Sequence, residues 1–420
     1  MVPQQTGERD RSPKCQPVDT GQSIREDKRS NKEMDDYDIA VIGAGPSGVM
    51  AAWKAASAGS RTILLEKEEN PGHKVCAEGV LDSALIDAEI DPTNDFVSSK
   101  IVGAVLYAPD ESKKVDVKGA GFVLDKPRFL SILAERAKSS GAEIRYGATV
   151  DDIRRDSETV LVSGRKGNVP YAVRCKIVVG CDGVASLLAR RFFNRDNYSV
   201  VAALQYDMLN CKIHDESRLH IYVGHHKAPS GYIWIFPKGH GEANVGIGVK
   251  GSNAKQLLDN FVRTHPEMFS EAVIQKSLAA PVPVSGEVTR YVQDNMMLCG
   301  DAAGQVIPLT GAGIHTGIAA GKIAGEVAAK AVAEGNFSAS RLKEYQDRFD
   351  AYFGGRISNS LKALESFEKF SDDDLNIITE YLEGQDLVDM ANGYSPTRAI
   401  SLLVRHPLLA MKVAYQLLTS

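Results

Sequence analysis

YDIAVIGAGPSG, residues 37–48, is the stretch whose reading decides the fold. Residues 37–42 are a short apolar run ending at a glycine, the pattern of a strand buried in a parallel sheet. Residues 47–58 are rich in alanine, with Met50 and Trp53, and read as a helix stopped by Gly59. Residues 61–66, RTILLE, read as the next strand, so one βαβ unit is complete within thirty residues. The glycines stand where a dinucleotide loop needs them. Gly43 permits the tight turn, Gly45 lets backbone approach a pyrophosphate, and Gly48 lets helix and strand pack closely. The helix start offers unpaired N–H groups to an anion, with Ser47 in its first turn. Glu66 closes the second strand, where it can accept from a ribose hydroxyl; Lys67 follows it as a further expected contact.

Outward from this unit, a helix is expected over 128–140, ended by Gly141, with strands near 143–150 and 176–180. Residues 200–250 alternate apolar and polar positions and carry aromatics (LHIYVG, GYIWIFP, ANVGIGV), the signature of an antiparallel sheet. NMMLC at 295–299 reads as one more buried strand, followed by glycine-rich turns and an alanine-rich helix over 314–334. From about 338 the pattern is helical, and SDDD at 371–374 suits a helix N-terminus. The expected organisation is a nucleotide-binding domain in three parts (37–95, 122–190 and 290–338), interrupted by a sheet domain in two (96–121 and 191–289). A helical region over 339–420 follows.

The chain has 420 residues, 43% hydrophobic and 25% charged, which is ordinary globular composition. Its net charge of -5, from 49 basic and 54 acidic residues, gives no polyanion-binding surface and speaks against nucleic acid as a partner. The six cysteines form no C-x-x-C pair and no metal-finger spacing, so no metal is expected. They are too few for a secreted disulfide scaffold, and a reducing, cytoplasmic setting fits better. Residues 1–36 are polar and read as a disordered tail, without the apolar core of a secretory signal. No apolar run is long enough to span a membrane. Residues 398–418 are apolar but interrupted by Arg405, His406, Pro407 and Lys412, which suits a packed helix or one lying in the membrane interface.

A second glycine-rich motif, GDAAG at 300–304, is followed by PLTGAGI at 308–314. This order resembles the second FAD fingerprint of glutathione-reductase-like flavoproteins, especially their p-hydroxybenzoate-hydroxylase branch. The resemblance implies an α/β fold with a Rossmann-like FAD-binding domain interrupted by an antiparallel substrate domain. It also implies that Asp301 binds the ribityl chain and that the backbone of Gly311, Gly313 and Ile314 lies against the flavin. A helix starting near Ile314 would aim its positive end at the ring. GCDGVAS at 180–186 resembles the branch's GADGxxS segment, with Cys181 in the alanine slot; Asp182 there stabilises a turn or touches the cofactor. The branch places an arginine three residues before the Phe of a flavin-approaching helix. In LDKPRF, residues 124–129, that slot holds Lys126, which keeps the charge but lacks the planar fork. Val150 falls where the branch holds the adenine by backbone.

KVCAEGV at 74–80 and GYIWIFPKG at 231–239 together resemble the geranylgeranyl reductase family. The stretch from Arg356 through the SDDDL helix looks most like archaeal digeranylgeranylglycerophospholipid reductases. The resemblance covers about residues 37–420. It implies FAD-dependent saturation of the isoprenyl double bonds of geranylgeranyl chains, in archaeal-type membrane glycerophospholipids, by hydride transfer and protonation. It places Cys76, Ala77, Glu78 and Gly79 beside the flavin, with Cys76 as the candidate catalytic thiol. Tyr232, Trp234 and Phe236, at spacing two, share one strand face. Read alone, that face is a sandwich core; with the family it is the wall of a substrate slot, with Pro237 and Lys238 as further substrate contacts. No second fingerprint is assigned to a nicotinamide, so the electron donor is ferredoxin, another reduced carrier, or transient NADPH. Competing readings are a geranylgeranyl diphosphate reductase, an NADPH- and oxygen-dependent aromatic monooxygenase of the same branch, and a non-catalytic flavin or lipid carrier.

Overall fold

The computed structural model describes residues 35–394, apart from His73, Ser157, Asp196 and Asn197. The expectations for residues 1–34 and for a helix over 398–418 lie outside the described residues. Asp35 and Asp36, assigned from sequence to the tail, instead begin the first strand, Asp35–Ile42. The reason is pairing: both stand in register with Val173 and Arg174 of the neighbouring strand.

Two sheets carry the fold. In the first, the strand order is Val292–Gln293, Met296–Leu298, Val169–Gly180, Asp35–Ile42, Thr62–Leu65, Glu143–Arg145. Every pairing from Met296–Leu298 to Glu143–Arg145 is parallel. Ile39, Val41, Ile63, Leu64, Ile177 and Val179 are buried completely, as a sheet covered on both faces requires. The helix Pro46–Ser57 packs on the long helix Ile314–Glu334, nearly backbone to backbone. A Cβ on Gly321 would lie 2.0 Å from the Ser47 carbonyl oxygen, and one on Gly325 would lie 2.5 Å from that of Ala51. That close approach brings the starts of both helices to one place.

The sequence expectations at 143–150 and 176–180 need correction. Gly147, at φ +66, breaks the first into Glu143–Arg145 and Ala148–Arg155. The second is the end of a longer strand, Val169–Gly180. Its first half pairs with an unforeseen strand, Val160–Lys166, and its second half with the parallel sheet.

The second sheet runs Val273–Pro283, Val200–Leu209, Glu242–Val249, Tyr232–Gly239, Arg218–Val223, Val97–Tyr107, Lys114–Leu124, Gly79–Leu81. Its pairings are antiparallel except where Arg218–Val223 runs parallel to Val97–Tyr107. The short strand Gly79–Leu81 lies in the stretch expected to belong to the nucleotide-binding domain, yet it is an edge of this second sheet. The CAEG loop therefore hands the chain from one sheet to the other. One sheet face buries Ile233, Ile235, Val245 and Ile247 against Leu258 and Phe261 of the helix Ala254–Thr264.

The opposite face is roofed by C-terminal helices. Ala339–Phe349 passes through a π-helical turn, Asp350–Gly354, into Gly355–Phe367; Asp372–Tyr381 and Gly384–Ala391 follow. SDDD starts a helix as expected, and Ser371 and Asp374 form a capping box there. Asp372 also accepts from the backbone N–H groups of His225 and His226, at 2.6 and 3.2 Å, which ties the roof to the sheet. Among the described residues no helix is long and apolar enough to cross a membrane.

Candidate active site

A single cavity of about 1890 Å³ runs from the glycine loops of the first sheet to the open face of the second. At its first end the backbone sets the geometry. A Cβ on Gly43 would lie 2.4 Å from the Cys181 carbonyl oxygen, and one on Gly48 1.8 Å from that of Gly43, so neither position admits a side chain. Gly45, by contrast, has open space there and lines the cavity. It precedes the helix Pro46–Ser57 without a side-chain cap, which leaves the first amides of that helix for an anion. Glu66 is buried, accepting from the amides of Ala44 (2.5 Å) and Glu68 (2.9 Å), so it braces the loop it is expected to serve. Asp182 accepts from the Leu187 amide at 2.7 Å through one oxygen, while its other oxygen is buried without a partner. Burial pushes the Asp182 carboxyl up from its ordinary value. An orphaned acceptor, an uncapped helix start and an unfilled Gly45 are what a dinucleotide with hydroxyls and phosphates would satisfy, so the residues fit FAD. Lys67 and Val150 also line this end.

The middle of the cavity joins the motifs. Gly300–Ala303 forms a turn that presents Asp301, and Gly313 precedes the helix Ile314–Glu334 with no side chain to cap it. The Asp301 carboxylate is ion-paired with Lys74, 227 residues away, and its carbonyl accepts from the Tyr198 hydroxyl at 2.6 Å. The Lys126 ammonium donates to the Lys74 carbonyl, which fixes the same loop from behind; it lines the cavity through this contact. Glu78, at φ +69 and buried, is held by Lys238 Nζ (2.6 Å) and Asn244 Nδ2 (3.0 Å), and its own amide donates to Cys76 Sγ at 3.4 Å. Cys76 and Ala77 line the cavity wall. Gly79 leaves room for Phe236: a Cβ there would meet the ring at 2.5 Å. The CAEG and YIWIFPKG segments, more than 150 residues apart in the chain, thus touch through that ring.

At the far end Tyr232, Trp234 and Phe236 face the cavity together, with Ala203, Ile221, Ala280 and Val282 packed beside them. Ile233 and Ile235 point the other way into the core, the strand alternation expected from the sequence. The Tyr232 hydroxyl donates to the Thr310 carbonyl, next to Gly311, and burial pushes the phenol up from its ordinary value. Trp234 packs on Gly246, where a Cβ would come within 2.1 Å of the indole. The roof contributes Phe367, Phe370, Leu375, Ile378, Leu382 and Leu387.

Family models match two stretches of the chain. One, described as geranylgeranyl reductase catalytic domain, matches residues 199–281. The other, described as FAD dependent oxidoreductase, matches residues 38–191. The digeranylgeranylglycerophospholipid reductase 2 of Methanopyrus kandleri is 36% identical over 406 residues, covering 91% of this chain and 100% of that one. The chain belongs to the geranylgeranyl reductase family. The digeranylgeranylglycerophospholipid reductase of Methanocaldococcus jannaschii is 34% identical, over 86% of this chain and 94% of its own. Among solved structures, a geranylgeranyl bacteriochlorophyll reductase-like protein from Thermoplasma acidophilum superposes with a TM-score of 0.82 at 28% identity, covering 91% of this chain and 99% of that chain. A flavin-dependent halogenase, 17% identical with a TM-score of 0.64 over 83% of this chain and 70% of its own, shares the fold. As a geranylgeranyl reductase family member the chain is an FAD-dependent oxidoreductase.

Two expected substrate contacts do not reach the cavity. Pro237 faces away, because one residue along a strand reverses the side; its carbonyl accepts from Ser99 Oγ at 2.6 Å. Lys238 is spent on Glu78 and does not line the cavity. Sequence reasoning missed Lys74, Asn244 and Tyr198, whose partners are distant in the chain. It also missed Gly246-Ile-Gly248-Val-Lys-Gly251, which repeats the G-x-G-x-x-G spacing. These glycines lie in and just after the antiparallel strand Glu242–Val249, with no parallel strand leading into a helix, so they are not a nucleotide loop.

Proposed function

We propose that this protein saturates the geranylgeranyl chains of an archaeal-type membrane glycerophospholipid. One observation carries the reading: the Tyr232, Trp234 and Phe236 wall and the apolar roof open into the same cavity as the cofactor loops. Reduced FAD, when bound, supplies hydride to one carbon of an isoprenyl double bond. The wall and roof hold an extended apolar chain and exclude water, which strengthens every electrostatic contact inside. The Lys74–Asp301 and Lys238–Glu78 pairs keep the loop bearing Cys76 against the flavin side. Cys76 Sγ then holds the proton that the second carbon receives. Reducing equivalents come from ferredoxin or NADPH. Peripheral contact at the inner face of the cell membrane gives access to the lipid, and flotation with anionic liposomes checks it.

Anaerobic turnover with a digeranylgeranyl glycerolipid, followed by mass spectrometry, tests the reading. Mass gains in steps of two hydrogens are expected, with Cys76→Ser slowing them while flavin content stays at the wild-type level. Product formation that requires oxygen would instead assign the monooxygenase chemistry.

A further inference from the structure

The C-terminal roof is apolar along most of its length, but its start is not. Arg356, Asn359 and Lys362 line the cavity at spacings of three on the helix Gly355–Phe367, so they share one face of it. The roof residues from Phe353 to Tyr394 that line the cavity include these two cations and no carboxylate.

Arg356 is the best-defined of the three. Its Nε donates to the Asn392 carbonyl at 2.8 Å and its Nη2 to Asn392 Oδ1 at 3.1 Å. Its guanidinium also stands 4.6 Å from the Phe353 ring centroid and 4.8 Å from that of Tyr394. Asn359 donates to the adjoining Gly393 carbonyl at 3.2 Å, so the helix Gly355–Phe367 and the chain at 392–393 are joined beside the guanidinium. The π-helical turn Asp350–Gly354 comes directly before it and resets the helix face that Arg356 presents.

Among the described residues the charge balance at this point is unfilled. Arg356 pairs with no acid among the described residues. Asp87, which reaches this end of the roof through Tyr352, already accepts from His315 Nε2 at 2.7 Å and from the Tyr352 hydroxyl at 3.0 Å. A tie between two helices needs hydrogen bonds and not a full charge, and a half-buried cation without a counter-ion is costly unless a ligand supplies one. An arginine oriented by two bonds and two rings, and lining the cavity, suits the oxygens of a phosphoryl group.

We infer that Arg356, flanked by Asn359 and Lys362, holds the phosphoryl group of the prenyl substrate's head. This rests on the function proposed above, since it names the polar end of the same lipid. A phosphate monoester on a glycerolipid and the diphosphate of a prenyl alcohol present the same chemistry to it.

The test uses FAD-loaded wild type, Arg356→Met, Arg356→Lys and Asn392→Ala. Three ligands are compared: digeranylgeranylglyceryl phosphate, geranylgeranyl diphosphate and the neutral alcohol geranylgeraniol. Kd is read from the flavin spectrum on titration, and KM and kcat from turnover. For Arg356→Met, phosphorylated ligands should lose about tenfold to a hundredfold in Kd and KM, with the alcohol within about twofold. Arg356→Lys should recover part of the loss. Asn392→Ala, which keeps the charge, should fall between. The phosphorylated ligand with the larger Arg356 dependence identifies the head group. Equal losses for charged and neutral ligands, or none for either, overturn the assignment and leave Arg356 as a tie between helices. Should wild type reduce none of the three yet bind the phosphorylated ones in an Arg356-dependent way, the proposed reduction fails while the anchor stands.

Discussion

The cofactor end of the cavity and its slot end are made of different material. At the glycine-loop end the shape lies in the backbone: Gly43 and Gly48 leave no room for a side chain, uncapped helix starts offer amides, and Glu66 braces the loop through the Ala44 and Glu68 amides. At the slot end it lies in side chains: three rings from one strand, small apolar residues from its neighbours, and a roof from helices far along the chain. At Gly43 and Gly48 that backbone tolerates no added carbon. A side-chain site tolerates change of shape and answers with altered selectivity.

The sharpest way to break this contrast is Gly48→Ala. Its Cβ would lie 1.8 Å from the Gly43 carbonyl oxygen, so strand and helix must separate. A loss of about 3 kcal/mol in stability, with little flavin retained after purification, is expected from thermal melts and from flavin absorbance per mole of protein. A yellow variant of wild-type stability would refute the claim that backbone closeness defines this end. Trp234→Ala should do the opposite. It should retain FAD while kcat/KM for the geranylgeranyl substrate falls about tenfold or more, as the slot loses a wall that orients the chain. If flavin is lost as well, the two ends are not separable.

Lys238→Met probes the junction between the ends. It leaves the Glu78 carboxylate buried with Asn244 as its remaining side-chain partner, at a cost of about 2 kcal/mol after allowing for partial exposure. Glu78→Gln combined with Lys238→Met should recover part of that in a double-mutant cycle, and a strictly additive cycle would remove the coupling.

The smallest effect concerns pH. Behind the slot sheet, Glu111 meets His265 Nε2 at 3.1 Å and the Lys227 ammonium. The His265 hydrogen bond and the Lys227 charge hold Glu111 down at about 2, against an ordinary 4.5. Burial pushes His265 down, but its bonds to Glu111 and the Phe261 carbonyl, together with the Glu111 and Glu267 charges, raise it above 6.5. The carboxylate's contribution is complete above pH 4.5 and is lost as pH falls toward 2. The imidazolium's is complete below 6.5 and is lost as pH rises through its raised value. Urea titrations should show stability highest between these limits. Glu111→Gln should flatten both limbs, with a loss of about 1 kcal/mol, since the Glu111 carboxylate is partly exposed to solvent. Unchanged limbs in the variant would assign the pH dependence elsewhere.

What could be read in the sequence follows the same division. The cofactor end was legible because each loop is contiguous: GAGPSG, GDAAG and TGAGI carry their geometry in glycine spacing. The ring face of Tyr232, Trp234 and Phe236 was legible because strand alternation is local. Lys74–Asp301 and Lys238–Glu78 were not, since nothing near either partner specifies the other across 227 and 160 residues. Pro237 and Lys238 show the opposite failure. A contiguous motif invites one role for all its members, whereas the pleat turns Pro237 away and an ion pair claims Lys238. The strand Val160–Lys166 escaped notice because its last two residues and the turn after it are polar and exposed.

The floor beneath Trp234 sets the bore of the slot. The indole rests on Gly246, and that strand position is bare because a single carbon there would lie 2.1 Å from the ring. Alanine at Gly246 would tip the indole into the passage and narrow it, at a position that touches neither cofactor loop. With Trp234 as the wall of the proposed slot, Gly246 would govern substrate girth from behind that wall, and chain selectivity could drift through it while the reduction chemistry stays intact.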